Sequence, residues 1–255
     1  MKQKIKDFAL GMGVDDVGFA SVSDYNSPRS PQIDSIMPGA KSIIVLAYRE
    51  LSTCESPNMR IAMNGRMDVM EFSKSCSYKL ARFIEKELNR KAMTVGVSYP
   101  MAMEQETGGA VGELSLRHAA VAAGLGVIGR HNLVIHPELG TRVIFTAVIC
   151  DLELASDPPV TAELCIDCDI CVEACPAGAL DEEGFTNVNK CLGRSQPWGI
   201  GGSIRFWSKF VDGTPEQQKQ MFIDPHYWRL YQAQLIGFQY NCFNCMSSCP
   251  VGQKK

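Results

Sequence analysis

Residues 165–176 read CIDCDICVEACP, and this stretch decides how the C-terminal part of the chain folds. Four cysteines separated by two, two and three residues and followed by proline form the bacterial run that binds iron–sulfur clusters. Three of these thiolates cap corners of one [4Fe–4S] cubane, and the cysteine before the proline normally ligates a second cluster. A zinc knuckle is the alternative, but its ligand spacing differs. The stretch therefore predicts a ferredoxin-like segment with two clusters.

A second, incomplete copy of the motif follows at residues 242–250, which read CFNCMSSCP. Its first cysteine is missing, since Gln239 stands at that position, but Cys191 lies between the two copies and can supply the absent ligand. On this hypothesis the first cluster is held by Cys165, Cys168, Cys171 and Cys249, and the second by Cys175, Cys191, Cys242 and Cys245. The alternative gives all of the first run to one cluster; the usual crossing of the last cysteine disfavours it.

The remaining three of the eleven cysteines, Cys54, Cys76 and Cys150, lie in apolar surroundings and are predicted to be buried and inert. A net charge of -3 and a pI of about 5.9 do not indicate a nucleic-acid groove. Apolar runs are far shorter than the roughly 20 residues that span a membrane, and the N-terminus lacks a secretory apolar stretch. These features predict a cytoplasmic protein whose cysteines serve metal chemistry rather than disulfides.

Periodicity predicts an α+β fold, with a mixed α/β domain at residues 1–155 and the ferredoxin-like domain at residues 156–255. SDPP at residues 156–159 is the expected linker. Helices are predicted over residues 2–12, 70–91 and 114–123, and strands over residues 17–22, 42–48, 92–97, 133–135 and 141–149, with the last two strands joined by a turn at 136–140. An insertion at 192–238 carries all three tryptophans and is either a lid over a cofactor or packing around the clusters.

GLGVIG at residues 124–129 matches the glycine pattern of dinucleotide-binding sites. Such a site needs a strand before the glycines and a helix after them, because the helix N-terminus holds the pyrophosphate. Here an alanine-rich helix precedes the glycines and strands follow, which disfavours a nicotinamide site. Two interpretations stay open: a glycine cap at the helix end, or glycines that let the backbone approach a large flat cofactor.

The region from residue 115 to residue 140 resembles the cobalamin-binding core of epoxyqueuosine reductases, which are relatives of the reductive dehalogenases. Residues 13–20, residues 37–47 and the crossed cysteine pattern resemble the same family. The resemblance implies a nitroreductase-like mixed α/β domain that binds base-off cobalamin and packs on a ferredoxin-like domain with two [4Fe–4S] clusters. Electrons would then pass through the clusters to cobalt, which would reduce the substrate.

The resemblance also suggests candidate residues outside the cysteines. The expected cofactor-binding residues are Ser115, Arg117, Gly126, Gly129, Asn132 and His136. Ala110 stands where the epoxyqueuosine enzymes carry an acidic proton donor, so Glu113 and Tyr99 are the candidate donors.

The chain ends where these enzymes continue into a tRNA-gripping domain. The expected partners are therefore a small-molecule substrate and an electron donor such as a ferredoxin or flavodoxin, without membrane or nucleic acid. The alternatives are an electron-transfer protein without catalytic activity and a short epoxyqueuosine reductase.

Overall fold

A computed structural model of the chain describes residues 1–96, 111–237 and 242–252. The candidate donor Tyr99, together with Ala110 and Gln239, lies outside the described residues. The mixed α/β fold class is confirmed. The six described strands are β1 Asp16–Ser21, β2 Ser42–Arg49, β3 Ala92–Val95, β4 Val127–Ile128, β5 Val134–Ile135 and β6 Val143–Cys150.

A four-stranded antiparallel sheet in the order β1-β2-β6-β3 forms the centre of the fold. In β2 every residue but the last is buried, because both faces of the sheet are covered. Helices α1 (Lys2–Gly11) and α3 (Met59–Glu87) pack on one face, where Leu46 and Tyr48 belong to the same core as Leu80. On the other face, Val45 and Ala147 share a core with α4 (Leu116–Ala122). A short helix, α2 (Ile33–Ile36), precedes β2.

Helix α3 is longer than the periodicity predicts, since it begins at Met59 rather than at residue 70. The Asn58 side chain accepts a hydrogen bond from the backbone N–H of Arg60 at 3.1 Å and so caps the first turn. The buried side of the early turns includes Gly65 and Arg66, which interrupt the helical spacing of apolar side chains in the sequence. The helix ends at Glu87, shortly before Asn89 adopts a positive φ of 50°.

The turn at residues 136–140 does not pair residues 133–135 with residues 141–149, as a hairpin would. Strand β5 pairs with β4 instead, in the register Val127↔Ile135 and Ile128↔Val134. Both edges of β6 are already occupied by β2 and β3, which leaves no edge for β5. The turn at 136–140 is closed only by an isolated bridge between His136 and Gly140.

Residues 156–159 lie along the edge strand β1. The backbone N–H of Asp157 donates to Phe19 O at 2.8 Å, and the Phe19 N–H donates to Asp157 Oδ2 at 3.0 Å. Lys2 Nζ lies 2.6 Å from Asp157 Oδ1, and Ser21 N donates to Ser156 Oγ at 2.7 Å. These contacts fix the start of the cysteine-rich segment against the sheet.

The cysteine-rich segment is helical between its turns. Its helices are α5 Ile170–Glu173, α6 Val188–Ser195, α7 Ile200–Val211, α8 Pro215–Ile223, α9 Pro225–Tyr231 and α10 Asn244–Ser247, and a π-helical turn covers Gln232–Ile236. In the insertion, the buried ring of Phe206 contacts Trp207 and Tyr227, with centroids 5.2 and 5.8 Å away. Helices α7 to α9 therefore pack on one another around an aromatic centre.

The end of α10 and the residues after it are held against the start of β6 by a set of contacts named here the C-terminal clamp. Arg142 is buried, and its guanidinium donates to Cys249 O and Ser247 O, each at 2.7 Å. Thr141 Oγ1 donates to Met246 O at 2.8 Å. Gly140 has a positive φ of 60°, and a Cβ there would lie 2.2 Å from Val251 O. The two backbones thus meet at a distance that only glycine permits.

Among the helices of the described residues, none combines the length and apolar character that crossing a membrane requires.

Candidate iron–sulfur and cofactor site

Four cysteines of the first predicted group line one small cavity of about 20 Å³: Cys165, Cys168, Cys171 and Cys249. Asp167 and Asp169, which alternate with the first cysteines, have φ of 45° and 54°. Aspartate tolerates this left-handed conformation better than most side chains. The resulting tight turns direct successive thiols toward a common centre, and the C-terminal clamp brings Cys249 to the same place.

The other four predicted ligands lie in the wall of a second, larger cavity: Cys175, Cys191, Cys242 and Cys245. Cys191 is carried by α6, which begins at the cap residue Asn187, and Cys245 is carried by α10. Burial raises the pKa of the Cys245 thiol to about 12, and the neighbouring Cys191, Cys242 and Cys175 thiols act in the same direction. The four sulfurs are therefore close enough to interact electrostatically.

The donor chemistry of the two cysteine groups fits cubane clusters. Backbone N–H groups donate to two of the sulfurs, from Arg130 to Cys165 Sγ at 3.4 Å and from Ala179 to Cys175 Sγ at 3.3 Å. Such N–H···S bonds stabilise thiolate ligands. Among the described residues, no three His, Cys, Asp or Glu side chains converge to chelate a single metal ion. In a cubane each iron takes its own thiolate, so the cysteines surround the cluster rather than converge on one point.

The larger cavity has a volume of about 560 Å³ and is lined by five separate parts of the chain. They are residues 27–30, 111–118, 131–133, 175–194 and 242–245. Its described lining contains three arginines and two histidines, whereas no aspartate or glutamate is among the described lining residues. The cavity therefore offers a basic environment directly beside the second cysteine group.

Three of the predicted cofactor-binding residues, Ser115, Arg117 and Asn132, line this cavity. The Arg117 guanidinium donates to Asn132 O, and Asn132 Nδ2 donates to Thr186 Oγ1 at 3.1 Å. Asn132 has a φ of 58°, in the left-handed region that asparagine tolerates. Burial, aided by the charge of Arg29, lowers the pKa of Arg117. This chain of contacts ties α4 to the cysteine-rich segment.

Ser115 also connects to His118 within the cavity wall. Ser115 Oγ lies 2.7 Å from His118 Nδ1, and the Ser115 N–H donates to the hydroxyl of Tyr25 at 2.9 Å. Burial, with the nearby Arg117 charge, lowers the pKa of His118. His118 is consequently neutral at pH 7.

His131 lines both cavities and is only 3% exposed. Its Nδ1 accepts a hydrogen bond from the Leu133 N–H at 3.0 Å, while Nε2 is buried without any hydrogen-bond partner. Burial lowers the pKa of His131 to about 4. An unsatisfied buried nitrogen at this place fits a group with acceptor atoms in the neighbouring cavity.

Four other predicted residues lie outside the described lining of the larger cavity. Glu113 is exposed, and His136 is buried with Nε2 3.2 Å from Asp16 Oδ2. A Cβ on Gly126 would lie 2.3 Å from Ile135 O, and one on Gly129 would lie 2.7 Å from the Ile135 side chain. The glycines therefore make room for the chain's own β5 strand, and His136 supports the turn that follows it.

Sequence reasoning missed Arg29, Thr186 and Arg194 as cavity residues. None belongs to a recognisable motif, and each reaches the cavity only through tertiary folding.

The three leftover cysteines are buried, and burial raises the pKa of the Cys54 and Cys150 thiols to about 11. Such protonated thiols are poor metal ligands and poor nucleophiles.

The described helices α7 to α9 contribute no residue to the described cavity lining. Of the insertion between the cysteine runs, the described part that reaches the cavity includes Arg194 on α6. Trp198 instead lies under the guanidinium of Arg229, 5.2 Å from the ring centroid. The tryptophans thus take part in packing within the insertion.

Comparison with known proteins supports this description of the cysteine-rich segment and of the fold. Residues 158–181 match the 4Fe-4S binding domain. The epoxyqueuosine reductase of Staphylococcus aureus (strain NCTC 8325 / PS 47) is 24% identical, over 98% of this chain and 64% of its own length. A solved epoxyqueuosine reductase with an epoxyqueuosine-modified tRNA stem loop has a TM-score of 0.62 at 20% identity, over 98% of this chain and 65% of its own.

A reductive dehalogenase structure gives the same TM-score of 0.62 at 16% identity, over 98% of this chain and 32% of its own. The fold and the cysteine motif together define a mixed α/β protein with a 4Fe-4S binding domain. The resemblance to epoxyqueuosine reductases and reductive dehalogenases is confirmed. The chain spans 64% of the length of the S. aureus relative, which is named as a reductase and hence as an oxidoreductase.

Proposed function

We propose that this chain is a cobalamin-dependent iron–sulfur reductase with two [4Fe–4S] clusters. One observation carries the proposal: the second cysteine group forms part of the wall of the cavity that Ser115, Arg117 and Asn132 also line. A cofactor in this cavity would lie beside a cluster, without intervening protein layers. The two solved structures are only 20% and 16% identical to this chain, so they support the fold alone. The proposed activity rests on this arrangement of residues.

The described residues suggest how the cofactor would be held. Arg117 and Asn132 present hydrogen-bonding groups that suit the amide side chains of a corrin, and Ser115 adds a hydroxyl. Cobalamin, when bound, supplies a cobalt centre that passes electrons from the cluster to the substrate. The two cysteine groups would carry electrons to the cofactor. The first group is separate from the large cavity, and the second borders it. Electrons would therefore enter at the first cluster and leave from the second.

Reduction of the substrate also needs a proton. The described lining contains the Ser115–His118 pair, in which the neutral imidazole and the hydroxyl can pass a proton along their 2.7 Å contact. Glu113, one of the expected donors, is exposed and next to Gly112, which does line the cavity. We therefore place the proton path at Ser115 and His118.

The expectation that nucleic acid is excluded needs correction. The curated relatives are epoxyqueuosine reductases, and one solved neighbour was determined with an epoxyqueuosine-modified tRNA stem loop. The basic lining of the large cavity also suits a polyanionic ligand better than the overall acidic pI indicates. A short epoxyqueuosine reductase is accordingly the second candidate function, beside a reductase of a small molecule.

One experiment separates the two candidates. The anaerobically reconstituted protein is supplied with cobalamin and a strong chemical reductant, then incubated with an epoxyqueuosine-containing tRNA stem loop, and the nucleosides are analysed by mass spectrometry. Conversion to queuosine establishes the second candidate. Reduction of the bound cofactor without nucleoside conversion establishes that the substrate is another compound.

Replacing Arg117 with methionine is expected to weaken cobalamin binding about tenfold or more, because hydrogen bonds from a charged group contribute about 1.5–3 kcal/mol. Binding is measured by the change in the visible spectrum during titration with hydroxocobalamin. Arg82→Met is the matched control, since Arg82 lies on the exposed side of α3 and donates to Tyr78. Equal affinity of wild type and Arg117→Met, at full iron content, would remove Arg117 from the cofactor site.

A further inference from the structure

His131 combines deep burial with an unusual position between the two cavities. It belongs to the tight turn that links β4 and β5, where Asn132 N donates to Gly129 O at 2.8 Å and Gly129 N donates to Leu133 O at 2.9 Å. The residue is only 3% exposed, and its ring borders the small four-cysteine cavity as well as the large one. The turn therefore holds the imidazole in a fixed place.

The hydrogen bonding of the ring determines where its proton lies. Nδ1 accepts from the Leu133 N–H, so in a neutral imidazole the hydrogen is on Nε2. That Nε2–H is one of three buried side-chain nitrogen or oxygen atoms among the described residues that have no hydrogen-bond partner. Because a buried donor without an acceptor costs free energy, a partner in the cavity is expected.

The surroundings of the ring place one of its edges beside the small cavity. Cε1, which is bonded to both ring nitrogens, is 3.1 Å from the position that a Cβ on Gly129 would take, and the Ile135 side chain is 2.7 Å from the same position. Ile135 lines the small four-cysteine cavity and is absent from the described lining of the large one. This edge of the ring thus borders the cavity of Cys165, Cys168, Cys171 and Cys249, and Nε2 is the ring nitrogen without a hydrogen-bond partner.

The neighbouring residue already interacts with this cysteine group. The backbone N–H of Arg130 donates to Cys165 Sγ at 3.4 Å, and Arg130 Nε is 3.1 Å from Asp169 Oδ1. The turn after β4 therefore delivers one N–H donor to the first cysteine group, from the residue directly before His131. A thiolate or sulfide of a cluster is the acceptor chemistry that this place provides.

We propose that the Nε2–H of His131 donates a hydrogen bond to a sulfur of the first [4Fe–4S] cluster and raises its reduction potential. The inference rests on the proposed clusters but not on cobalamin. Reduction of a cubane adds one electron and no proton, and the added negative charge resides largely on iron and sulfur. A hydrogen bond to sulfur stabilises this reduced form. His131 would then make the entry cluster easier to reduce than it would be in an apolar wall.

The test is a redox titration of the full chain with dithionite, followed by electron paramagnetic resonance. His131→Leu is expected to shift the reduction equilibrium of one cluster about tenfold toward the oxidised form, which is about 59 mV for one electron. His131→Gln, which retains an N–H donor, should restore at least part of the potential. His226→Leu is the control, because His226 is exposed on α9, and it should leave both clusters unchanged.

A second measurement does not depend on any variant. In wild-type protein labelled with ¹⁵N-histidine, pulsed resonance of the reduced cluster should show a nitrogen coupling from a bonded ring. An absent coupling, or an unchanged potential in His131→Leu at full iron content, would overturn the proposal. So would equal loss of iron in His131→Leu and His131→Gln, since this result indicates a structural role alone. Failure to bind cobalamin would defeat the proposed function without affecting these outcomes.

Discussion

Replacing Cys191 with alanine is expected to lower the iron content of the anaerobically prepared protein from about eight to about four atoms per chain. Cys191 lies in the wall of the large cavity with Cys175, Cys242 and Cys245, and α6 supplies no other cysteine to that wall. A cubane that loses one of its thiolate ligands is held less tightly and opens to solvent. Iron and sulfide analysis, with electron paramagnetic resonance of the reduced protein, measures the outcome.

The first cysteine group should retain its cluster in this variant, because its four residues line a separate cavity. Cys76→Ala is the matched control, since Cys76 is fully buried in the core between α3 and the sheet and should leave about eight irons in place. If Cys191→Ala retains all the iron and both resonance signals, the crossed ligand assignment is wrong. The rival arrangement, in which the first run holds one cluster alone, would then have to be reconsidered.

Replacing Arg142 with methionine is expected to destabilise the protein by about 3 kcal/mol or more, as the loss of partners leaves buried acceptors unsatisfied. The guanidinium donates to the carbonyls of Ser247 and Cys249 and to Thr141 Oγ1, and its Nε lies 2.7 Å from Glu55 Oε1. Because Cys249 belongs to the first cysteine group, the same variant should also lose iron from that cluster. Thermal unfolding and iron analysis report the two effects separately.

Glu55→Gln removes the charge of the Arg142–Glu55 ion pair and leaves the other contacts of the C-terminal clamp in place. The Glu55 side chain is 44% exposed, so its ion pair with Arg142 should contribute less than about 1 kcal/mol, while the carbonyl contacts remain. We expect this variant to unfold near the wild-type temperature with full iron content. Comparable losses in both variants would mean that the ion pair, rather than the bonds to the backbone of the cysteine segment, secures the first cluster.

Local sequence was sufficient to predict the elements that depend on neighbouring residues alone. The β-branched run at residues 42–48 is an inner strand because a strand buried on both faces has little place for polar side chains. The spacing of Cys165, Cys168 and Cys171 brings them to one cavity because it follows from tight turns within a few residues. Ligand identity itself is a prediction that the iron analysis above tests.

Other features depend on contacts between distant segments, and no local pattern predicts them. The pairing of β5 with β4 depends on β6 already having two neighbours in the sheet. Arg29 and Thr186 reach the cavity from segments far apart in sequence. Arg142 offered one signal, since it is a charged residue directly before a buried apolar strand, but the two carbonyls to which it donates in the cysteine-rich segment lie more than a hundred residues further along the chain.

The C-terminal clamp has a consequence for the order in which the protein is assembled. Cys249 is presented to Cys165, Cys168 and Cys171 by a segment that Gly140, Thr141 and Arg142 hold at the start of β6. Those holding residues directly precede β6, whose place between β2 and β3 fixes their position. A cluster bound by this cysteine group would therefore gain its fourth ligand only once the α/β domain has folded, so we expect iron loading to follow the folding of the sheet. A chain whose sheet is defective would remain iron-poor and distinguishable from its properly folded counterpart.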